Sequence, residues 1–291
     1  LRLLLADAGQ LFSLGAGFVG SHDQLGQIIA GRFDFCRAAL HFFDGFRTSH
    51  EIQKIETIDY ADLGKILDWD AVEAFRRRAL NPDHPVIRGT AQNPDVYFQE
   101  REASNTYYQA LPQLVEDAMA DMAKITGREH HLFDYYGAKD ADRIIIAMGS
   151  VCQAVEETVD YLNKNGEKVG LLSVHLYRPF SLEHFFKYLP KTVKKVAVLD
   201  HTKEPGALGE PLYLDVKAAF YNSGLNPVIV GGRFGLGGKD TTPDQIFAVF
   251  EELKKDAPKR EFTVGIVDDV TNLSLPEDPA APNTAAPDTI E

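Results

Sequence analysis

Residues 142–268 predict an α/β fold, a doubly wound, mostly parallel five-stranded sheet, on three observations. Apolar runs recur along this stretch, and they are continuous in Ile, Val and Leu rather than alternating, as suits strands covered on both faces. Stretches of helical length separate them. Strand and helix therefore alternate strictly, which argues for parallel strands joined by right-handed crossovers.

The elements follow in order. Arg143–Met148 predicts the first strand and a helix runs from about Val151 to Asn163. Val169–Val174 is the second strand, with a helix over Leu182–Leu189. Val196–Leu199 is the third, followed by a helix over Pro211–Asn222. Val228–Val230 is the fourth, with a helix over Pro243–Lys255, and Phe262–Val267 is the fifth.

Upstream the pattern is less regular. Residues 1–39 carry glycine at 9, 15, 17, 20, 26 and 31, and each glycine weakens a helix by roughly 1 kcal/mol relative to alanine. His41-Phe42-Phe43 reads as a strand, and Asp44-Gly45 as the turn before a short helix. Trp69 to Leu80 predicts a second short helix, stopped by Asn81-Pro82 and Pro85. Residues from Pro85 to Glu102 read as a polar, ordered connector. Ser104 is placed to cap a helix that buries Tyr107, Tyr108, Leu111, Leu114, Val115, Met119 and Met122 at helical spacing. Gly127 ends it in a left-handed cap, and Pro112 inside it allows a kink or a later start. Residues 276–291 hold four prolines, four acids and no base, the composition of a tail or linker.

Composition narrows the function classes. A chain of 291 residues predicts about two domains at roughly 150 residues each. The net charge of −13 argues against a nucleic-acid or anionic-membrane partner. Cys36 and Cys152 are too few for a disulfide framework, a four-thiolate zinc site or an iron–sulfur cluster. No apolar run reaches the ~18 residues that span a bilayer. With Leu1 at the start and no leader pattern, the expectation is an internal piece of a larger cytoplasmic protein.

Ligands of open α/β sheets gather at the carboxyl ends of the strands. Chain direction puts Gly149-Ser150, His175 to Pro179, Asp200 to Gly206, Gly231 to Asp240 and Asp268-Asp269 on that edge. Arg178, Lys203, Arg233 and Lys239 concentrate positive charge there, with Glu204 beside Lys203. Three readings stay open: an anion or substrate edge, a docking surface for another domain, and a plain solvated edge. The glycine-rich loop lacks both the P-loop and the dinucleotide-binding spacing. Asp44, Arg47, Thr48, Ser49 and His50 could position a carboxylate or phosphate at a helix N-terminus, or could simply form a turn and a cap. His130-His131 lacks the helical spacing of metal ligands and reads as loop surface. Cys152 reads as a small buried hydrophobe.

Five stretches then carry a resemblance: Phe42-Phe43-Asp44-Gly45-Phe46-Arg47-Thr48-Ser49-His50-Glu51, Gln92–Gln99, Tyr177-Arg178-Pro179-Phe180, Thr202–Tyr213 and Phe262–Thr271. Together they resemble the pyruvate:ferredoxin (flavodoxin) oxidoreductases, over about residues 40–275. The resemblance implies that residues 40–85 end the family's thiamine-binding-type first domain, a partial α/β domain. Residues 86–130 would be a connector and helix, residues 131–270 a domain similar to the C-terminal domain of transketolases, and residues 271–291 a linker. Residues 1–39 do not resemble the family and suggest a shifted reading frame. Milder departures are His201 where the family has Arg, Phe234 where it has Tyr, and Gly238 where it has Ser.

The resemblance further implies a full enzyme that oxidatively decarboxylates pyruvate to acetyl-coenzyme A. It would use thiamine diphosphate, magnesium, [4Fe-4S] clusters and coenzyme A, as a homodimer that passes electrons to ferredoxin or flavodoxin. The family's catalytic and cofactor-binding motifs lie upstream and downstream of this sequence. The expectation is therefore a chain that binds no cofactor alone, is inactive alone, and supplies scaffold and surface to the remaining domains. Asp44, Arg47, Thr48, Ser49, His50, Arg178, Lys203, Glu204, Arg233 and Lys239 are its candidates for an active-site rim or interdomain contact. A second reading is a non-catalytic α/β interaction module or truncated pseudogene product.

Overall fold

The structure, a computed structural model, describes residues 56–86, 91–221, 223–268 and 270–277. The 1–39 segment and the Asp44–His50 candidates lie outside the described residues. The chain divides into two compact units. The described part of one falls within Gln53–Leu132 and Leu176–Ser181, that of the other within Phe133–His175 and Leu182–Glu291.

The described part of the first unit is helical. Its elements are α1 (Tyr60–Ile66), α2 (Trp69–Arg77), α3 (Pro94–Ala103) and α4 (Asn105–Thr126). Asp59 and Asp68 start α1 and α2 by accepting from the N–H groups of Ala61 and Ala71, each at 2.9 Å, which satisfies donors that a helix start leaves open. Helices α1 and α3 are additions to the sequence reading, and α3 lies inside the stretch read as a connector. The capping role expected of Ser104 is corrected. It sits in helical conformation between α3 and α4, and its hydroxyl donates back to the Arg101 carbonyl at 2.6 Å. Helix α4 runs through Pro112 and ends at Gly127, whose φ of 70° is the expected left-handed cap. Of the face expected to be buried, Val115 and Met119 are, together with Ala118, while Tyr108 is exposed.

The second unit is a six-stranded sheet in the order β1-β3-β2-β4-β5-β6. Its strands are β1 (Phe133–Gly137), β2 (Arg143–Ala147), β3 (Val169–Val174), β4 (Lys195–Asp200), β5 (Val228–Arg233) and β6 (Glu261–Thr263). The helices between them are α5 (Val151–Lys164), α6 (Leu182–Tyr188), α7 (Pro211–Phe220) and α8 (Pro243–Lys254). All five expected strands are present and parallel. The sixth, β1, pairs antiparallel with β3 at the edge. Its outer residues stay partly exposed, so it lacks the continuous apolar signature of its neighbours. The fifth expected strand is shorter than its apolar run, because Gly265 at φ 79° turns the chain and leaves Ile266 and Val267 outside the ladder.

Side chains alternate across each strand, so both faces are built at once. Ile145, Ala147, Leu171, Ala197 and Leu199 face a core shared with Val155 and Val159 of α5 and Ile246 and Phe250 of α8. On the opposite face Tyr213 of α7 lies over Gly231, where an added Cβ would meet its ring at 3.1 Å. Phe185 of α6 stacks edge-on against Phe133 at 5.5 Å and Phe220 at 5.7 Å. Two helices therefore cover each face.

The chain beyond β6 returns to the sheet. Thr263 donates its N–H to Leu273 at 3.1 Å and accepts from Leu275 at 2.9 Å, and Leu275 is buried.

Candidate functional site

Strand order places the switch in chain direction between β2 and β4, and the carboxyl ends of β4, β5 and β6 lie side by side beyond it. A cleft of about 430 Å³ opens there. Lys203, Arg233, Phe234, Lys239, Glu261 and Asp268 are among its lining. They come from β5, β6 and the loops that follow β4, β5 and β6, so the sheet assembles them.

The cleft rests on two buried carboxylates. Asp200, the last residue of β4, accepts from Leu212 N–H at 2.9 Å and Tyr213 N–H at 3.0 Å, at the start of α7. Burial pushes its carboxyl up to about 6, against the lowering effect of those two hydrogen bonds and with a further push from Glu210 and Asp215. A charge taken out of water loses hydration that the two donors only partly replace.

Glu210 precedes α7 and is also buried. Its Oε1 accepts from Arg233 Nη1 at 3.1 Å, and its Oε2 accepts from the Glu204 N–H at 2.6 Å. Arg233 Nη1 lies 3.5 Å from Glu261 Oε2, and Lys203 Nζ lies 3.8 Å from Glu210 Oε1. Arg233 is 6% exposed, so its charge is compensated chiefly within the fold rather than presented to solvent.

The glycine-rich loop has a conformational task. Gly235, Gly237 and Gly238 all take positive φ, a region L side chains reach only with strain. The turn brings the Gly235 carbonyl to 2.6 Å from His201 Nε2, which donates to it. The His201 and Phe234 rings stack at 5.0 Å. Two of the departures from the family pattern thus pack against each other.

The structure brings Lys203, Arg233 and Lys239 together on one cleft. Glu204 contributes its backbone, through its N–H to Glu210 and its carbonyl to Lys203 Nζ at 3.4 Å. Arg178 belongs to the other unit, where its guanidinium lies 3.9 Å over the Tyr177 ring and donates to the Tyr177 carbonyl and hydroxyl at 3.1 Å each. The sequence reading missed Asp200, Glu210 and Glu261 as members of the site. An acid closing a Val/Ile run is a usable signal for Asp200. Nothing in the sequence announces that Glu210 and Arg233 meet, since 23 positions separate them.

The Cys152 thiol, near the start of α5, is pushed up to about 12, burial being the largest cause. It packs against the core as a small hydrophobe. His131 Nδ1 meets Glu116 Oε1 at 2.5 Å, beside the Leu132 N–H that donates to Glu116 Oε2 at 3.1 Å. His131 therefore fastens its loop to α4.

Residues 141–246 match the family model described as pyruvate:ferredoxin oxidoreductase core domain II, and residues 29–120 match pyruvate flavodoxin/ferredoxin oxidoreductase, thiamine diphosphate-binding. A pyruvate-flavodoxin oxidoreductase of Enterobacter agglomerans is 67% identical over 248 residues, 85% of this chain and 21% of that protein. A pyruvate:ferredoxin oxidoreductase of Moorella thermoacetica is 61% identical over 236 residues, 81% of this chain and 20% of that one. Among solved structures, the 2-oxoglutarate:ferredoxin oxidoreductase from Magnetococcus marinus with 2-oxoglutarate, coenzyme A and succinyl-CoA bound has a TM-score of 0.36 and 18% identity. That match covers 57% of this chain and 25% of that one. The chain spans about a fifth of the length of the curated relatives described.

Proposed function

Because the chain belongs to the pyruvate:ferredoxin (flavodoxin) oxidoreductase family, we propose that it is a scaffold-bearing part of an enzyme that oxidatively decarboxylates pyruvate. In that reading the full polypeptide forms acetyl-coenzyme A in the cytoplasm, works as a homodimer and passes electrons to ferredoxin or flavodoxin. The observation that carries it is the 67% identity sustained over 248 residues. Thiamine diphosphate, when bound, supplies the carbanion chemistry of decarboxylation, and clusters carry single electrons.

The cysteines of this chain do not fit a cluster. A [4Fe-4S] cluster takes four thiolates, and this chain has Cys36 and Cys152 alone. Among the described residues of the stretch matched to the thiamine domain, α1, α2 and α3 bury no residue, and α4 buries Val115, Ala118 and Met119. In this reading the sheet unit contributes support. Its doubly covered strands hold the edge of β4–β6, with Asp200 fixing the start of α7 and Glu210 fixing the loop that carries Lys203 and the Arg233 end of β5.

The test compares two proteins: the 291-residue chain and the full-length polypeptide with cofactors loaded. Each is assayed for coenzyme A-dependent reduction of a viologen dye by pyruvate. Dye reduction by the full-length protein alone is expected. Turnover by the 291-residue chain overturns the scaffold role, and a loaded full-length protein that leaves pyruvate untouched overturns the assigned reaction.

A further inference from the structure

The loop after β6 presents its apolar side chains outward in a way that the fold itself does not use. Val267 and Val270 are each 89% exposed, and Ile266 and Leu236 beside the cleft are 46% and 47% exposed. The loop is held at both ends. Val264 N–H donates to the Arg233 carbonyl at 3.0 Å, and Leu275 N–H closes on Thr263. Within it, Asp268 Oδ1 accepts from Val270 N–H at 2.9 Å. The valines are therefore displayed on a loop pinned at both ends, and exposed apolar side chains rimmed by polar groups mark an interaction site.

Charge defines the other half of this surface. Lys239 lines the cleft and takes part in no ion pair or hydrogen bond within the described residues. Lys203 is half-exposed, 3.8 Å from a carboxylate that Arg233 already engages. The surface thus pairs aliphatic side chains with two ammonium groups that have capacity for a carboxylate, on a chain of net charge −13.

A small organic anion would fill the cleft and leave half of this unexplained. Ile266 and Asp268 line the cleft, whereas Val267 and Val270 do not. An occupant that covers both is a folded surface. We propose that this edge of the sheet, Ile266, Val267 and Val270 with Lys203 and Lys239, seats another domain of the same polypeptide through an acidic side chain flanked by apolar ones. The proposal rests on the reading above that the chain is part of a longer enzyme. The relatives supply the length for such a domain, since this chain covers 21% of a protein 67% identical to it.

Lysine acetylation followed by mass spectrometry tests it in the 291-residue chain and in the full-length protein, and carbodiimide coupling seeks the partner carboxylate. Labelling of Lys239 and Lys203 is expected in the 291-residue chain and lost in the full-length protein, with carbodiimide joining one of them to an Asp or Glu outside residues 1–291. The variant Val267→Asp/Val270→Asp should restore labelling in the full-length protein while leaving the unfolding midpoint of the 291-residue chain unchanged. Equal labelling in both proteins overturns the proposal. So does protection that appears only when a small carboxylate such as benzoate is added, or a doubled mass of the 291-residue chain that the valine variant abolishes. None of these readouts needs turnover, so an inactive full-length protein would count against the assigned reaction and leave this surface to be judged by its labelling.

Discussion

The two units spend the same kind of residue differently. In the sheet unit, β3 is buried along its whole length and β2 and β4 are buried except at their first residues, and one core cluster joins α5, α8 and the five parallel strands β2 to β6. In the helical unit, α2 has an apolar face as clear as any, yet Trp69 and Phe75 are both more than half exposed and α1, α2 and α3 bury nothing. Amphipathic spacing states which face a helix would bury. Whether that face is covered depends on what else is there to cover it. The short helices hold through capping, as at Asp59 and Asp68, while the sheet unit holds through burial on both faces.

Substitutions sharpen that contrast, beginning with the core. Phe250 is fully buried between α8 and the sheet, so Phe250→Ala is expected to destabilise the sheet unit by about 3–5 kcal/mol. Urea unfolding followed by circular dichroism measures it, and a loss below about 1 kcal/mol would show the core to be loosely packed.

The ion pair beneath the cleft comes next. Arg233→Met leaves Glu210 buried without its main partner, at an expected cost of about 3 kcal/mol or more. Adding Glu210→Gln should recover most of that loss, because the uncompensated charge is then gone. A double variant no more stable than the single one would place the cost in packing instead.

Asp200 adds a pH dependence. Its folded value of about 6 lies above the ordinary aspartate value of 3.8. The folded state therefore holds the extra proton between those values. Its contribution is complete below about pH 4, declines as pH rises toward 6 and is constant above that. Across that window the difference in stability between the wild type and Asp200→Asn should shift by about 3 kcal/mol against the wild type. Urea midpoints at pH 4, 5, 6 and 7 check it, and a pH-independent difference would contradict it.

The smallest effect belongs to the helical unit. Phe75→Ala, at a position 55% exposed, should change the stability of the 291-residue chain by less than about 0.5 kcal/mol. A large loss there would mean that the face of α2 is covered in solution.

The legibility of the site follows the same division. Lys203, Arg233 and Lys239 could be placed on one edge from chain direction alone, because every parallel strand ends on the same side. The partners of Arg233 could not, since Glu210 reaches it through a 23-residue separation and Glu261 lies across the β5–β6 pair. Arg178 illustrates the opposite limit: its place after β3 suggested the cleft, yet it packs on its own neighbour Tyr177 in the other unit.

The order of strands and helices, the parallel sheet and the left-handed stop at Gly127 were written in the sequence by itself, because continuous Val/Ile runs, amphipathic spacing and a glycine after a helix are local signals. The antiparallel β1, the end of β6 at Gly265, the charge pairing of Arg233 and the raised carboxyl of Asp200 were decided by tertiary structure. Each depends on which distant groups arrive beside it and on how much water they displace.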